Sequence, residues 1–313
     1  MSENRADNED MINKEQSFSS STARPASEEQ RMQWQAKNRD WWSQTPMRYD
    51  WREAIPYPRY SAEYFKEIDD RFFSSVKAYM PWKKFPFEQE IPYVRLPTLD
   101  VLEIGVGQGS HASLIAPQSR SYTGIDLTEP AVAATRIRME QLELKNTKIL
   151  QMDAEEMSFN DSSFDYIWSW GVVHHSADTR RILEQMHRVL RPGGCATVMV
   201  YHRSIWKYYI HDGFFKGLLG GRFFKGASLH DVNQAATDGA IARIFRKKDW
   251  GALSYDLFRV DSYEVSGLKS ELFPLPGGKL KSLLQRVVPD SVSRFFTNTL
   301  GWGSFLTIRM TKR

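Results

Sequence analysis

Apolar positions along the chain change period near residue 99. In the preceding stretch, Tyr64, Phe65, Ile68, Phe72, Phe73 and Val76 recur at helical spacing and predict an amphipathic helix over Ala62 to Met80. Pro81, Pro86, Pro92 and Pro97 then break the chain into an extended connector. From Leu99 onward short apolar runs alternate with helix-period stretches. Val101, Leu102 and Ile104 suit a strand covered on both faces. Ser121 to Asp126, Thr147 to Met152, Phe164 to Trp170 and Ala196 to Tyr201 follow as strands. Glu129 to Leu144, with Pro130 in its first turn, reads as a helix. So does Asp178 to Leu190, whose Ile182, Leu183, Met186, Val189 and Leu190 share one face, and Arg191-Pro-Gly-Gly194 reads as the turn that stops it.

Beyond Tyr201 the rhythm is interrupted. An insertion over about 202–244 carries aromatic clusters (Trp206, Tyr208, Tyr209, then Phe214, Phe215, Phe223, Phe224). Phe245 to Leu253 predicts a helix, Tyr255 to Val265 a strand, and Gly303 to Thr311 a last strand. A second insertion, about 266–301, holds an apolar stripe of Leu280, Leu283, Leu284, Val287 and Val288 with Lys279, Lys281 and Arg286 elsewhere on the helix. That stripe can pack onto the domain or rest on a membrane surface. The sum is an α/β protein: a doubly wound, mostly parallel seven-stranded sheet with helices on both faces. Residues 1–29, poor in apolar groups, read as a disordered tail, 30–98 as an aromatic-rich N-terminal cap, and 99–313 as the main domain.

Composition narrows the setting. Cys195 is the single cysteine, so no internal disulfide forms and no metal cluster is expected. No secretory signal and no run long enough to span a bilayer is present, and the expected location is the cytoplasm. The net charge of +4 is uneven, acidic at the N-terminus and basic from Arg203 onward. That asymmetry suits an acidic substrate, a membrane surface or simply a solvated lid. Nucleic acid is not favoured, because no separate binding module is visible.

The candidate chemistry begins at the first strand. Gly105, Gly107 and Gly109 follow it at once and allow a tight turn that a ligand can approach, with Ser110 placed to cap the next helix. Glu103 lies inside the strand, and Asp126 and Asp153 end the next two. All three carboxylates belong at the carboxyl edge of an open α/β sheet, where ligands bind, and Asp126 is placed to accept from ribose hydroxyls. An acidic rim suits a ribose and a cationic group better than a pyrophosphate.

Taken together, Val101-Leu-Glu-Ile-Gly-Val-Gly-Gln-Gly109, Thr123-Gly-Ile-Asp126, Met152-Asp-Ala-Glu155, the Phe164 to Ser176 run with its Val-His-His motif, and His187-Arg-Val-Leu-Arg-Pro-Gly-Gly194 resemble a class I S-adenosylmethionine-dependent methyltransferase of the small-molecule branch. The resemblance covers about residues 99–201 and implies a Rossmann-like methyltransferase fold with S-adenosyl-L-methionine as cofactor. It implies that Gly105 and Gly107, with Val106 and Gly109, lie against the cofactor, and that Glu103 orients its methionine end. It implies further that Asp126, with Leu127 beside it, binds the ribose, that Asp153 and Ala154 meet the adenine, and that Trp170 and Gly171 stand beside the transferable methyl. Glu103 could equally be a buried carboxylate holding loop amides. Methyl transfer to a hydroxyl needs a proton acceptor, for which His174 and His175 are first candidates and Tyr201 and His202 second. Either of the paired histidines could instead pack, or cap the helix near Asp178, and His111 reads as structural or near the cofactor. The acceptor site is expected among the N-terminal cap and the insertions, whose aromatic content suggests an aromatic, lipid-like or secondary-metabolite acceptor, with O-methylation favoured. The alternatives are non-methyl chemistry with the same cofactor, or a catalytically silent binding subunit.

Overall fold

The computed structural model describes residues 22–49, 53–275 and 277–313; the expected tail lies outside the described residues up to position 21, as does Trp51. The strands are β1 Asp100–Ile104, β2 Ser121–Asp126, β3 Thr147–Gln151, β4 Phe164–Trp170, β5 Leu190–His202, β6 Ile244–Phe245, β7 Phe258–Ser266 and β8 Phe305–Lys312. They form one sheet in the order β3-β2-β1-β4-β5-β8-β7, with β6 paired to the end of β5. The pairs among β1 to β6 are parallel, and β8 runs antiparallel between β5 and β7. The eighth strand is the two-residue β6, too short to leave a period in the sequence.

Side chains alternate between the two faces of the sheet, and each face has its own core. On one, Leu102, Ile104, Ile167, Val198 and Val200 meet Ile182, Leu183, Met186 and Val189 of the helix Thr179–Val189. On the other, Val101, Tyr122, Tyr166 and Trp168 meet Phe72, Val76 and Tyr79 of the helix Ala62–Tyr79 and Met139 of the helix Glu129–Gln141. The helix Ala62–Tyr79 starts where the Ser61 side chain accepts from Tyr64 N–H, and it ends just before Pro81.

Three local expectations are corrected. Arg191-Pro-Gly-Gly194 does not separate helix from strand but lies inside β5. Phe164 faces Leu190 and Tyr166 faces Cys195, so residues 191–194 swell out opposite Asp165 as a bulge. Ser110 does not cap a helix. The glycine turn runs on to His111, only Ala112–Ile115 is α-helical, and the Ser110 carbonyl instead accepts from Ser113 Oγ. The Leu280 stripe packs onto the domain only in part: Leu284 and Val288 are half-buried, whereas Leu280, Leu283 and Val287 are exposed.

An element without an apolar face, the helix Glu28–Gln44, opens the described chain, and what it buries is Arg31, Trp34, Gln35 and Asn38. It crosses onto the carboxyl edge of the sheet, where the candidate site lies. The insertions supply a helix Ile205–Leu219 wound as a π-helix, a short helix Leu229–Gln234, and the exposed helix Lys279–Val287.

Candidate active site

The carboxyl ends of β1, β2 and β3 lie side by side. Beyond β1 the backbone enters the left-handed region at Gly105 (φ +82°) and Gly107 (φ +53°). Gly105 N–H donates to Ile125 O at 2.8 Å, and Val106 N–H to the same oxygen at 3.3 Å, which ties the turn to β2. A Cβ on Gly105 would sit 2.2 Å from Val172, so the turn and the segment after β4 touch with no room for a side chain. Gly107 is the opposite case: a Cβ there would meet nothing within 4 Å. Its amide donates to Asp126 Oδ2 at 3.2 Å, while Asp126 Oδ1 accepts from the amide and hydroxyl of Thr128, each at 2.9 Å. Burial pushes the Asp126 carboxyl up, against the pull of those donors. With Oδ1 taken by two donors, Oδ2 keeps a lone pair for a further one. Gly109 packs on Thr135 and Arg138. The turn is thus a cradle whose open side lies at Gly107, beside a half-buried carboxylate.

Glu103 is buried, and its carboxylate accepts from Tyr122 Oη rather than from loop amides. The register explains this: Glu103 faces Gly124, which has no side chain, so Tyr122 two residues earlier on the same face reaches across. Burial raises the Glu103 pKa to about 8, despite that hydrogen bond. Asp153 Oδ1 accepts from Glu155 N–H and from Gln35 Nε2, each at 2.8 Å. Ala154 packs against the core, and the Leu127 carbonyl accepts from Gln151. The Trp170 ring stacks on Trp168 at 5.2 Å, and Gly171, at φ +75°, donates to Met199 O. His111 sits among Phe72, Phe87 and Trp168, where burial lowers its pKa to about 3 and keeps it neutral.

The helix Glu28–Gln44 closes this edge through polar contacts. Arg31, 5% exposed, donates to Glu155 at 3.0 Å and to Glu156 and Glu28 at 2.6 Å. Glu155, raised by burial to about 7, also accepts from Asp178 N–H. Gln35 reaches Asp153, Asn38 donates to His175 O, and Trp42 meets the His175 ring edge-on. Sequence reasoning missed Arg31, Gln35 and Asn38 as organisers of the site. The available signal was Ser27-Glu-Glu-Gln30, a helix-start pattern.

The histidines separate into two environments. His175 Nδ1 lies 2.6 Å from Ile241 O, so that nitrogen carries the proton, and burial lowers the ring pKa to about 4. His174 is buried, with its ring 4.0 Å from Tyr201 and 4.1 Å from His175, and burial holds its pKa well below the usual value. His202 is half-buried. Its Nδ1 faces Gly303 O at 2.9 Å, which makes Nδ1 the donor and leaves Nε2 as acceptor. Tyr201 and His202 line an open cavity of about 350 Å³ together with Lys207, Asp212, Glu271 and Lys281. Burial alone would raise the Asp212 carboxyl, but His211, Lys207 and Lys216 around it hold it well below the usual range. Glu271 is buried and accepts from Ser304 N–H and Oγ. The lining combines these charged and polar groups with the rings of Tyr201, Tyr208 and Phe305.

An open, mostly parallel sheet with a glycine turn after β1 and carboxylates ending β2 and β3 defines a Rossmann-like methyltransferase fold. A chain of the complex between the Haloferax volcanii Trm112 methyltransferase activator and a methyltransferase shares this fold, with a TM-score of 0.50 at 15% identity over 85% of this chain and 97% of that one. Residues 101–194 match the methyltransferase domain family. Among curated relatives, a probable S-adenosylmethionine-dependent methyltransferase of Mycolicibacterium smegmatis is 34% identical over 33% of this chain and 38% of its own length. A phosphatidylethanolamine N-methyltransferase of Cereibacter sphaeroides is 37% identical over 33% of this chain and 50% of its own length. The similarity thus spans half or less of either relative's length.

Proposed function

We propose that the protein is an enzyme that transfers a methyl group from S-adenosyl-L-methionine to a small-molecule acceptor. The observation that carries the reading is the cradle at Gly107, open where a Cβ would meet nothing and flanked by the Asp126 carboxylate. The residues fit such a cofactor. Asp126 Oδ2 has acceptor capacity left for a ribose hydroxyl, and Asp153 with Ala154 would meet the adenine. Glu103 is a buried acid that a cation would ionise. When bound, the cofactor supplies a methyl already activated on a sulfonium, so the protein's work is alignment, exclusion of water and removal of an acceptor proton.

The acceptor enters the cavity beside the end of β5, where Tyr201 on the wall lies against the His174 ring. His202 is the favoured base for a hydroxyl acceptor, because its Nδ1–H is fixed on Gly303 O and Nε2 is left to take the proton. His174 and His175 form the wall between cofactor and acceptor. O-methylation accordingly remains the favoured chemistry. The Arg31 clamp holds the N-terminal helix over the cofactor edge and keeps water out. Calorimetry tests the reading: S-adenosyl-L-methionine should bind, and Asp126→Ala should weaken binding by about tenfold or more, the loss of hydrogen bonds to a charged acceptor. Absence of binding heat at millimolar cofactor would overturn it.

A further inference from the structure

The two insertions leave apolar side chains in water on both sides of the cavity. Along the π-helix Ile205–Leu219 every exposed residue is apolar or aromatic: Ile205, Tyr209, Phe214, Leu218 and Leu219. The winding produces this. With i→i+5 bonding a turn takes about 4.4 residues, so positions 205, 209, 214 and 218 fall on one line, whereas α-winding would send 214 to the far side. Ile205 and Leu219 are 73% and 65% exposed, and Phe224 just beyond is 82% exposed. The second helix, Lys279–Val287, presents Leu280, Leu283 and Val287 at 61%, 53% and 67% exposure. Lys207, His211 and Asp212 from the first helix and Lys281 from the second line the same cavity, so the two helices border it with their polar sides and carry the apolar stripes on their outer faces.

Charge along the two segments is predominantly positive. Residues 203–225 carry Arg203, Lys207, Lys216, Arg222 and Lys225 against one acid, Asp212, which three of its neighbours already pair. Residues 279–294 carry Lys279, Lys281, Arg286 and Arg294 against Asp290, which pairs with Lys269. Exposed apolar stripes with a basic border match a bilayer surface bearing anionic lipids, where the stripes enter the acyl boundary and the cations meet headgroups. Among the described residues no helix is long and apolar enough to cross a membrane, so the contact is interfacial.

We propose that these two helices seat the protein on an anionic lipid surface, and that the polar cavity between them receives the headgroup of an amphiphilic acceptor whose hydrocarbon part stays in the bilayer. The second half rests on the methyl-transfer reading above. The charged and polar groups of the cavity offer partners to such a head, and its tail need not leave lipid.

The test is co-sedimentation of the full chain with vesicles of phosphatidylcholine alone or mixed with phosphatidylglycerol, with cofactor affinity measured in parallel. Binding to the anionic vesicles, weakened by salt and lost by more than about tenfold in Leu219→Glu/Leu280→Glu/Leu283→Glu with unchanged circular dichroism and cofactor affinity, supports the proposal. No sedimentation with either vesicle overturns it. So does a stable dimer in light scattering that the same triple variant dissolves, because a second copy would then cover the face. Vesicle binding without cofactor binding keeps the docking surface and removes the methyl-transfer reading, and the reverse outcome does the opposite.

Discussion

Replacing Glu103 by glutamine removes a carboxyl that is 1% exposed and that accepts from Tyr122. Its pKa is about 8 in the folded protein against 4.5 for the free group. The raised value means the folded state holds a proton that the unfolded chain gives up, so this group favours folding more as pH falls from about 8 towards 4.5. At about 1.4 kcal/mol per unit, linkage makes its penalty about 4 kcal/mol near pH 7.5 and about 1 kcal/mol near pH 5. Relative to Glu103→Gln, the wild type should therefore gain about 3 kcal/mol on going from the higher pH to the lower. Urea midpoints of both proteins at both pH values measure this, and Glu90 and Glu155, also raised by burial, cancel in the comparison because both proteins contain them. An equal stability difference at the two pH values would refute the buried, protonated acid. The same carboxyl links fold to function. If a cationic cofactor end lies against it, binding near pH 7 ionises it and releases close to one proton, seen by calorimetry in buffers of different ionisation enthalpy. Glu103→Gln should abolish that release, and a wild type that releases none would remove Glu103 from the cofactor contacts.

Arg31→Ala should leave Glu155 buried without its cation, and the acid, already raised to about 7, then takes up a proton, so the loss is that of an unsatisfied buried group, about 1–3 kcal/mol. Hydrogen exchange should then quicken along residues 28–44 ahead of the sheet, and uniform exchange would contradict the clamp. His202→Ala should lower turnover by about 100-fold with cofactor affinity unchanged, the usual scale for losing a general base. His175→Ala should act mainly on stability through the lost bond to Ile241 O, and the reverse pattern would exchange the two roles.

Much of the sheet was legible because its strands are local events. β2 and β4 have the bounds their apolar runs predict, since a strand buried on both faces needs a short unbroken run with turn signals at its ends. The glycines and the carboxylates at strand ends were legible for the same reason, and their order along the chain sets their order at the sheet edge. Period says nothing, however, about contacts that polar groups make across long separations. The helix Glu28–Gln44 has no apolar face, so its attachment through Arg31, Gln35 and Asn38 exists only once β3 and the segment after β4 are beside it. His202 gains its defined tautomer from Gly303, 101 residues away. The apolar stripe from Ile205 to Leu218 has no helical period of 3.6 and comes into being only through π-winding. Burial and turning are local requirements of the chain, and they suffice to lay down the sheet and the residues on its carboxyl rim. What closes that rim, how His202 meets open space and what the insertions show to solvent depend on which distant groups come to share a neighbourhood.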